Sequence, residues 1–521
     1  MVSSLLSEAL SSPTDVLLSF YDAYDHGALD DFPKAVAKHF SDIFRTEEAF
    51  SEIPPLIPSR SYNDRALVRF RALVQDTSLS PEIYLSRLRD GKCGGWGMTE
   101  TPQGDGDDSD FDFNHLRDSS VLWAVSVPGE TEWYQSASDG HPLARADQHV
   151  ESLRAHKYPI PGGTHYGVQI KMYINSGNDI PKTTDVLNFV GILSNEPQVL
   201  HAESDESIIV PTLHVLFVRE HHLNIFEASP EPFQHHVREE LLSWIADEAL
   251  GGDRDAAEWV LLTYVARVQS RTRSLNPPSL TLSHFPSPTS SLPPLPALCH
   301  LLSLILPLHV TLSLSLDMLN SVPFAPESVN EDLHSGYLQL AQGTAVLMTE
   351  SGIQEGKLIE RGVLNVRTIQ QVIDTQTLAY KFPFSEFSFP TDINFVILAE
   401  GTKSALFQTD VTFPLNSPST SDLYKLNSDI KLPSIDKLEA FRRLILSAKA
   451  GNIEVTEAIS EHIQEDFVRQ RKTDDAMSPE DLKRTITLAR LICLTMYDSS
   501  VTVDGWERAK ELNRRRMARF A

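Results

Sequence analysis

The order of hydrophobic and polar residues predicts a helical start followed by a β-rich region. Residues 15–44 have helical periodicity, and the proline-rich stretch 53–58 cannot continue a helix. From residue 66 onward, short stretches carry the pattern of strands: 66–75, 81–88, 120–127, 131–134, 167–174, 186–193 and 212–219. Short strands separated by long insertions predict a small closed barrel, most simply one of the OB type.

The next region alternates between helical and strand patterns. Residues 237–250 and 256–270 are amphipathic helices by spacing, and Asp255 is placed to cap the second. A strand is predicted at 279–283. Two further apolar runs, 344–348 and 394–399, are typical of strands buried on both faces of a parallel sheet, and a helical pattern at 368–378 separates them. The region therefore predicts βαβ connections and an α/β core.

The last region is predicted to be helical. After a polar, serine-rich linker at 416–429, helical patterns occupy 438–450, 455–472, 479–496 and 505–519. Ser478 precedes a proline at the first helical position, with an acid three residues on, which is a favourable helix start. The arginine run 514–516 is expected to be the solvated, cationic end of the last helix rather than a localisation patch.

Composition restricts the classes of function. The 45 lysines and arginines against 71 aspartates and glutamates give a formal net charge of −26. A phosphate backbone repels such a chain, so direct nucleic-acid binding is disfavoured and a basic protein partner is easier to accommodate. The three scattered cysteines allow neither a disulfide framework nor a paired metal motif, which fits a reducing compartment.

The apolar run 298–316 contains a proline, two histidines and several serines. A helix, a break and a strand are therefore expected there rather than a membrane span. No signal peptide is expected at the N-terminus.

The acidic insertion 91–112 ends near Phe111 and Phe113. These two phenylalanines are the candidate partner-binding residues, in a segment that docks on a basic groove. A solvated insertion without a binding role is the alternative.

The common signature motifs of catalytic sites are absent from the sequence. In nucleotide-driven motors of the AAA+ class, one buried strand ends in acids that hold magnesium and another in a residue that senses the γ-phosphate. Here the corresponding strands run into Glu350 and Glu400. A phosphate loop needs glycines and a Lys-Ser/Thr pair, but residues 285–296 contain neither glycine nor lysine. The Gly-Lys pairs at 91–92 and 356–357 lack the upstream glycine and the hydroxyl. No catalytic residue, cofactor or metal site is predicted, and the adjacent histidine pairs 221–222 and 235–236 are expected at the surface.

Taken together, the patterns predict a multidomain α/β protein. The predicted units are an N-terminal helical cap with its linker (1–58), an OB-like β domain with the acidic insertion (59–228), a degenerate AAA+-like α/β core (229–415) and a linker with a C-terminal helical lid (416–521).

An ordered series of short stretches resembles the minichromosome maintenance (MCM) complex-binding protein family from about residue 66 to the C-terminus. The stretches are 74–76, 81–85, 125–130 (VSVPGE), 187–194 (LNFVGILS), 213–215, 238–265, 343–363 and 387–401 (FSFPTDINFVILAEG). More distantly, the layout is similar to the MCM helicase subunits, and residues 465–471 (EDFVRQR) with the helices after them are laid out like their lid. The acidic insertion matches no motif of the family.

The resemblance implies a nuclear, non-enzymatic protein that binds MCM helicase subunits and takes the place of one in MCM assemblies. It implies roles in MCM stability and assembly, in MCM removal from chromatin and in sister-chromatid cohesion. Two other classes of function are the alternatives. One is a weak AAA+-like ATPase that uses Glu350. The other is an OB-fold binder of single-stranded nucleic acid, with bases stacking on Trp96 or Trp123.

Overall fold

A computed structural model describes twelve ranges of the chain: 4–24, 30–57, 60–98, 113–139, 154–163, 165–174, 180–199, 207–226, 235–272, 275–416, 419–470 and 478–520. Over these ranges the protein is a mixed α/β structure with several sheets and helical layers.

Four short helices form the N-terminal region: α1 (Ser4–Ser11), α2 (Pro13–Asp22), α3 (Phe32–Ile43) and α4 (Glu47–Ser51). The fourth is capped by Thr46, whose hydroxyl accepts from the Ala49 amide at 3.2 Å. Their apolar side chains share one buried cluster with the strands that follow, and Phe32 meets Trp96 edge to face at 5.9 Å. The helices therefore cover one face of the β-rich region.

Six strands form the β-rich region: β1 (Leu67–Asp76), β2 (Glu82–Leu85), β3 (Leu116–Ser126), β4 (Gly167–Met172), β5 (Val186–Val199) and β6 (Ser207–Glu220). β1 pairs with both β3 and β5, β3 with β4, and β5 with β6, all antiparallel. The pairing of β4 with β6 is parallel and completes a circuit of five strands.

The strand predicted at 131–134 is wrong, because a helix, α5 (Glu132–Asp139), begins there. The Thr131 carbonyl accepts from the amides of Tyr134 and Gln135, each at 3.0 Å. Four residues are too few to distinguish the period of a strand from that of a helix, and contacts of Thr131 with another part of the chain decide the conformation.

Two helices, α6 (His235–Ala249) and α7 (Arg254–Val265), follow the β-rich region close to their predicted positions. The predicted cap is wrong: Asp253, not Asp255, accepts from the Ala256 amide at 3.1 Å. Asp255 instead pairs with Arg515 and Arg519, each at 3.3 Å, so its carboxylate binds the C-terminal helix.

Nine strands and three helices make up the α/β region. In chain order they are β7 (Leu280–Ser283), α8 (Ala297–Ile305), β8 (His309–Ser313), α9 (Leu316–Ser321), β9 (Glu327–Val329), β10 (Asp332–His334), β11 (Thr344–Thr349), α10 (Glu360–Thr375), β12 (Thr377–Phe382), β13 (Ser385–Pro390), β14 (Ile393–Leu398) and β15 (Val411–Pro414). Five strands form a parallel sheet in the order β15-β7-β14-β11-β8. β11 and β14 are buried throughout, as the apolar runs predicted.

The remaining four strands form a small sheet in the order β10-β9-β12-β13. The helix predicted to reach residue 378 ends at Thr375, because Gln376 adopts a left-handed conformation and β12 begins one residue later. β13 is an exposed edge strand, and Phe384 in the turn before it is fully exposed.

The C-terminal region consists of α11 (Thr420–Leu423), α12 (Ile435–Ala450), α13 (Glu457–Gln470), α14 (Pro479–Thr495) and α15 (Val503–Ala518). The predicted start at Ser478 is confirmed: Ser478 and Asp481 form a capping box. Buried side chains of α12–α15 join those of α6, α7, α8 and the parallel sheet in one apolar cluster. The C-terminal helices α12–α15 and the α/β region therefore share a core.

The arginine run at the end of α15 is only partly solvated. Arg514 is exposed and pairs with Glu511 at 2.7 Å, as expected. Arg516 is buried: its guanidinium lies 6.0 Å from the Trp259 ring centroid and donates to the Thr412 carbonyl at 3.3 Å. This residue anchors the last helix on the core.

The run 298–316 forms α8, a break at Pro307 and then β8, as predicted. Within the described ranges, none of the helices has both the length and the apolar character that crossing a bilayer requires.

Candidate functional site

The carboxyl edge of the parallel sheet is where an α/β protein of this layout would hold a phosphate group. Residues 284–296 connect β7 to α8 at that edge, and five of these 13 residues are prolines, which have no amide hydrogen. The amides of His284 and Phe285 donate to the carbonyls of Gly401 and Ala399, at 3.0 and 2.9 Å. Phe285 is buried against Tyr424, whose hydroxyl donates to the Pro286 carbonyl at 3.0 Å. The start of the loop is therefore bound to neighbouring elements, and its first two amides are not free to bind an anion.

The two carboxylates at this edge hold loops. Glu350, which follows β11 and is buried, accepts from the Ser404 hydroxyl at 2.5 Å and from the Ala405 amide at 3.0 Å. Glu400, which follows β14, accepts from the Ser287 hydroxyl at 3.0 Å. Both oxygens of Glu350 have protein partners, so this carboxylate is positioned to join the ends of β11 and β14.

A second feature is the joint between the β-rich and α/β regions, formed by residues 127–134. The Gly129 carbonyl accepts from the His309 amide at 2.7 Å, and Glu130 bridges to Leu308. The Thr131 amide donates to the Pro307 carbonyl at 3.0 Å. This segment therefore continues the edge of the parallel sheet beside β8.

The joint is completed by aromatic and charged side chains. Trp133 donates to the Leu306 carbonyl at 3.1 Å and lies under the Arg442 guanidinium of α12, 4.3 Å from the ring centroid. Arg71 and Glu130 form a buried ion pair at 2.9 Å. The β-rich region, the α/β region and helix α12 of the C-terminal region consequently meet at one place.

Two histidines at this joint are held neutral. Burial lowers the pKa of His309 to about 4, only partly offset by its hydrogen bond to the Ala345 carbonyl. Burial, with the charges of Arg71 and His222, lowers the pKa of His221 to about 4. His221 Nε2 lies 3.0 Å from the Tyr134 hydroxyl.

Because these pKa values lie below the ordinary histidine value of 6.5, the unfolded chain binds more protons than the folded one as pH falls. Stability is therefore expected to be highest above pH 6.5 and to fall as pH drops toward 4, by roughly 1.4 kcal/mol per pH unit for each histidine. Urea unfolding between pH 7.5 and 5 measures this slope. His309→Gln should reduce the slope by the contribution of about one proton. The exposed control His236→Ala, which does not contribute to either pKa shift, should leave the slope unchanged. Equal slopes in all three proteins would contradict the assignment.

A separate polar network connects the same two regions. Lys157 is fully buried, lies 2.6 Å from Asp76 of β1 and also contacts Asp332 of β10. Gln75 donates to the Leu333 carbonyl at 3.2 Å, and Gln339 donates to the Gln75 carbonyl at 2.6 Å. Lys157 is the only cation in contact with both carboxylates among the ion pairs of the described residues.

Asp332 is strongly ionised in this network. Burial alone would raise the pKa of its carboxyl, but the hydrogen bonds and charges of His156, Lys157 and Arg154 outweigh that effect and hold the pKa well below its usual range. His156 Nε2 lies 2.7 Å from Asp332 Oδ2, and His334 is stacked at a tilt beside His156.

The candidate residues from the sequence fall in different places. Phe111 lies outside the described residues, and Phe113 opens a 3₁₀ turn (Phe113–His115) whose first side chain is also outside them. Trp96 and Trp123 are buried. Trp96 donates to the Val215 carbonyl at 2.9 Å, and Trp123 packs under Arg154. Neither indole is available for stacking on a base.

The prediction that the adjacent histidines lie at the surface is wrong for His221, which is half-buried, and right for His222. Sequence spacing also failed to reveal the cluster of His156, Asp332 and His334. The alternation of Asp332 and His334 around Leu333 was the only local signal, since His156 is 176 residues from Asp332.

The chain is similar in sequence to a known family of replication proteins. A family model described as the mini-chromosome maintenance replisome factor matches residues 40–157 and 141–520, most of the chain. The chain belongs to this family.

Relatives in animals and plants match over nearly their full lengths. Each is named mini-chromosome maintenance complex-binding protein. The relative from Danio rerio is 26% identical, with 94% of both chains covered. The relative from Arabidopsis thaliana is 24% identical over 92% of both chains, and the one from Homo sapiens is 23% identical over 98% of this chain and 97% of the relative.

Proposed function

We propose that this protein is a non-catalytic binding partner of MCM helicase subunits that acts in DNA replication. Membership of the family supports the proposal, as do relatives whose names state binding to the MCM complex and which align over more than nine-tenths of the chain. The strongly acidic composition also supports a protein partner rather than DNA.

We also propose that the β-rich region is an OB-like barrel and that the α/β region is a degenerate AAA+-like core. The closed circuit β1–β3–β4–β6–β5, with one parallel pairing, supports an OB-like barrel. Numbered along the chain, the five parallel strands lie in the order 5-1-4-3-2, which is the order of AAA+ cores. A chain with both parts and a helical lid has the layout of a helicase subunit.

The observation that carries the non-catalytic assignment is the loop 284–296. Its first two amides are already bound to carbonyls, it has no lysine or glycine, and Glu350 is engaged by Ser404 and Ala405. Without a cradle to position a nucleotide, a carboxylate at the sheet edge has no reacting group to act on.

In cellular terms, the proposal places the protein in the nucleus, in MCM assembly and stability and in unloading from chromatin, with a link to sister-chromatid cohesion. A chain with a subunit's layout can pair edge to edge with true subunits through heterologous contacts. Such a chain would contribute no hydrolysis to the assembly and, being acidic, would not retain DNA.

Calorimetric titration of the full-length protein with ATP and Mg²⁺ tests the non-catalytic assignment. We expect no saturable heat, because the phosphate-loop position provides neither lysine nor free glycine amides. Glu350→Gln, which keeps the size of the side chain, should behave like the unmodified protein. Tight binding of ATP that this substitution abolishes would instead favour a weak ATPase.

A further inference from the structure

We propose that His156, Asp332 and His334 form a binding site for a divalent transition-metal ion of zinc's class, at the contact between the β-rich and α/β regions. The proposed site does not depend on the MCM-binding function. Two imidazoles and one carboxylate offer one ligand atom each, and these three atoms all lie within 4.8 Å of one another.

The backbone brings the ligands together from two elements. Asp332 and His334 are two residues apart on β10, so they share one face of the strand. His156 is the middle residue of a 3₁₀ turn (Ala155–Lys157) that packs against β10. The Ser335 amide donates to the His156 carbonyl at 2.8 Å, which fixes the turn beside the strand.

The distances suit a metal after a small rearrangement of the side chains. His156 Nε2 is 2.7 Å from Asp332 Oδ2, and the two imidazole centroids are 4.3 Å apart. Ligands about 2.0–2.2 Å from a tetrahedral zinc ion lie roughly 3.4 Å from each other. The widest separation in the cluster needs to shorten by at most about 1.4 Å, and His156 Nε2 and Asp332 Oδ2 need to move apart by about 0.7 Å. Rotation of the half-exposed His156 side chain can supply both changes.

The ligand types select the class of ion. Imidazole nitrogen suits Zn²⁺ and other late transition metals, whereas Ca²⁺ and Mg²⁺ prefer all-oxygen sites. Three protein ligands leave a fourth position for water, as in open zinc sites. The exposed edge of His156 provides the route by which an ion enters.

The surroundings balance the charge of the ligands. Asp332 is approached on its other oxygen by Lys157, and by Arg154 at 3.8 Å. Asp76 neutralises Lys157 at 2.6 Å, and Glu327 lies directly across from His334 in the β9–β10 pairing. Glu327 is in turn paired with Arg361 at 3.0 Å, so these six charged side chains carry no net charge before an ion binds. Asp332 is also oriented by contacts outside the proposed ligand set, as metal-binding carboxylates usually are.

Metal binding would connect the turn from the β-rich region to the β9–β10 hairpin of the α/β region. An ion that binds only the folded protein raises its thermal midpoint in proportion to the logarithm of the free metal concentration. The expected result is therefore a zinc-dependent rise in the unfolding temperature, in addition to stoichiometric binding.

The test uses the full-length chain, freed of metal with a chelator and without a histidine tag. Calorimetric titration with ZnCl₂ should give one saturable site, and Co²⁺ should give the visible absorption of a nitrogen-ligated, low-coordinate ion. His156→Ala, at an exposed position, and His334→Ala should each weaken Zn²⁺ binding by roughly tenfold or more and abolish the cobalt absorption. The matched control His222→Ala, at an exposed histidine outside the cluster, should bind like the unmodified protein.

Circular dichroism of each variant establishes that the chain is folded before titration. Loss of the site in folded His156→Ala, with the control unaffected, supports the proposal even if His334→Ala proves unstable. Two results would overturn it: no saturable Zn²⁺ site in the unmodified protein, or equal affinity in His156→Ala and His222→Ala.

Discussion

Lys157→Met is expected to destabilise the protein by about 3–5 kcal/mol, because it removes one partner of a buried ion-pair network and leaves two carboxylates without their shared cation. Lys157 is fully buried, 2.6 Å from Asp76 and in contact with Asp332. Methionine fills a similar volume, so lost packing contributes little. Urea unfolding followed by circular dichroism measures the change, and the contact between the β-rich and α/β regions should be lost first.

Lys182→Met is the matched control, since Lys182 is exposed and this substitution should change stability by no more than about 0.5 kcal/mol. The double variant Lys157→Met with Asp76→Asn should recover part of the loss, because it leaves one buried charge fewer without a partner. Equal stability of Lys157→Met and Lys182→Met would contradict the role assigned to the network.

Gly129→Ala is expected to cost about 2–4 kcal/mol and to loosen the joint between the regions. Gly129 has a φ of +73°, which strains any residue with a Cβ. A Cβ here would also lie 2.5 Å from Val310 Cγ2 and 3.1 Å from the His309 carbonyl oxygen. The backbone bond from the His309 amide to Gly129 would have to lengthen, so limited proteolysis should cleave the variant faster.

Gly162→Ala is the control that distinguishes backbone strain at a positive φ from steric overlap of the added Cβ with its neighbours. Gly162 has nearly the same φ, +71°, but a Cβ there meets nothing within 4 Å. Its alanine variant should therefore cost only about 1 kcal/mol, from the left-handed conformation alone. If the two variants are equally stable and equally resistant to protease, the close approach at Gly129 does not hold the regions together.

Elements that are determined by residues close together in the sequence could be predicted. The strands β11 and β14 are short apolar runs between turn residues, and burial on both faces leaves few alternatives to a parallel sheet. The capping box at Ser478 depends on residues only three positions apart.

Features that depend on distant residues were not predictable. The helix at 132–139 begins beside Thr131, whose amide is bound to the Pro307 carbonyl. Asp253 caps α7 and also pairs with Arg519, while Asp255 pairs with Arg515 and Arg519, so both acids bind residues more than 250 positions away. In the same way, Lys157 meets Asp76 and Asp332 across 81 and 175 residues, so no window of sequence reveals the network.

The acidic insertion remains a prediction, with its two interpretations open. Deletion of residues 104–112, or the pair Phe111→Ala and Phe113→Ala, distinguishes them when affinity for MCM subunits is measured. Weaker binding would assign the phenylalanines to the interface. Unchanged binding would make the segment a solvated insertion.

The most direct measurement mixes the purified protein with purified MCM subunits and follows complex formation by sedimentation velocity, with nuclease present and without added nucleotide. The account predicts a stable complex with at least one MCM subunit, since binding requires neither ATP nor DNA. Absence of a complex with every MCM subunit, together with tight binding of ATP or single-stranded DNA by the protein alone, would contradict it.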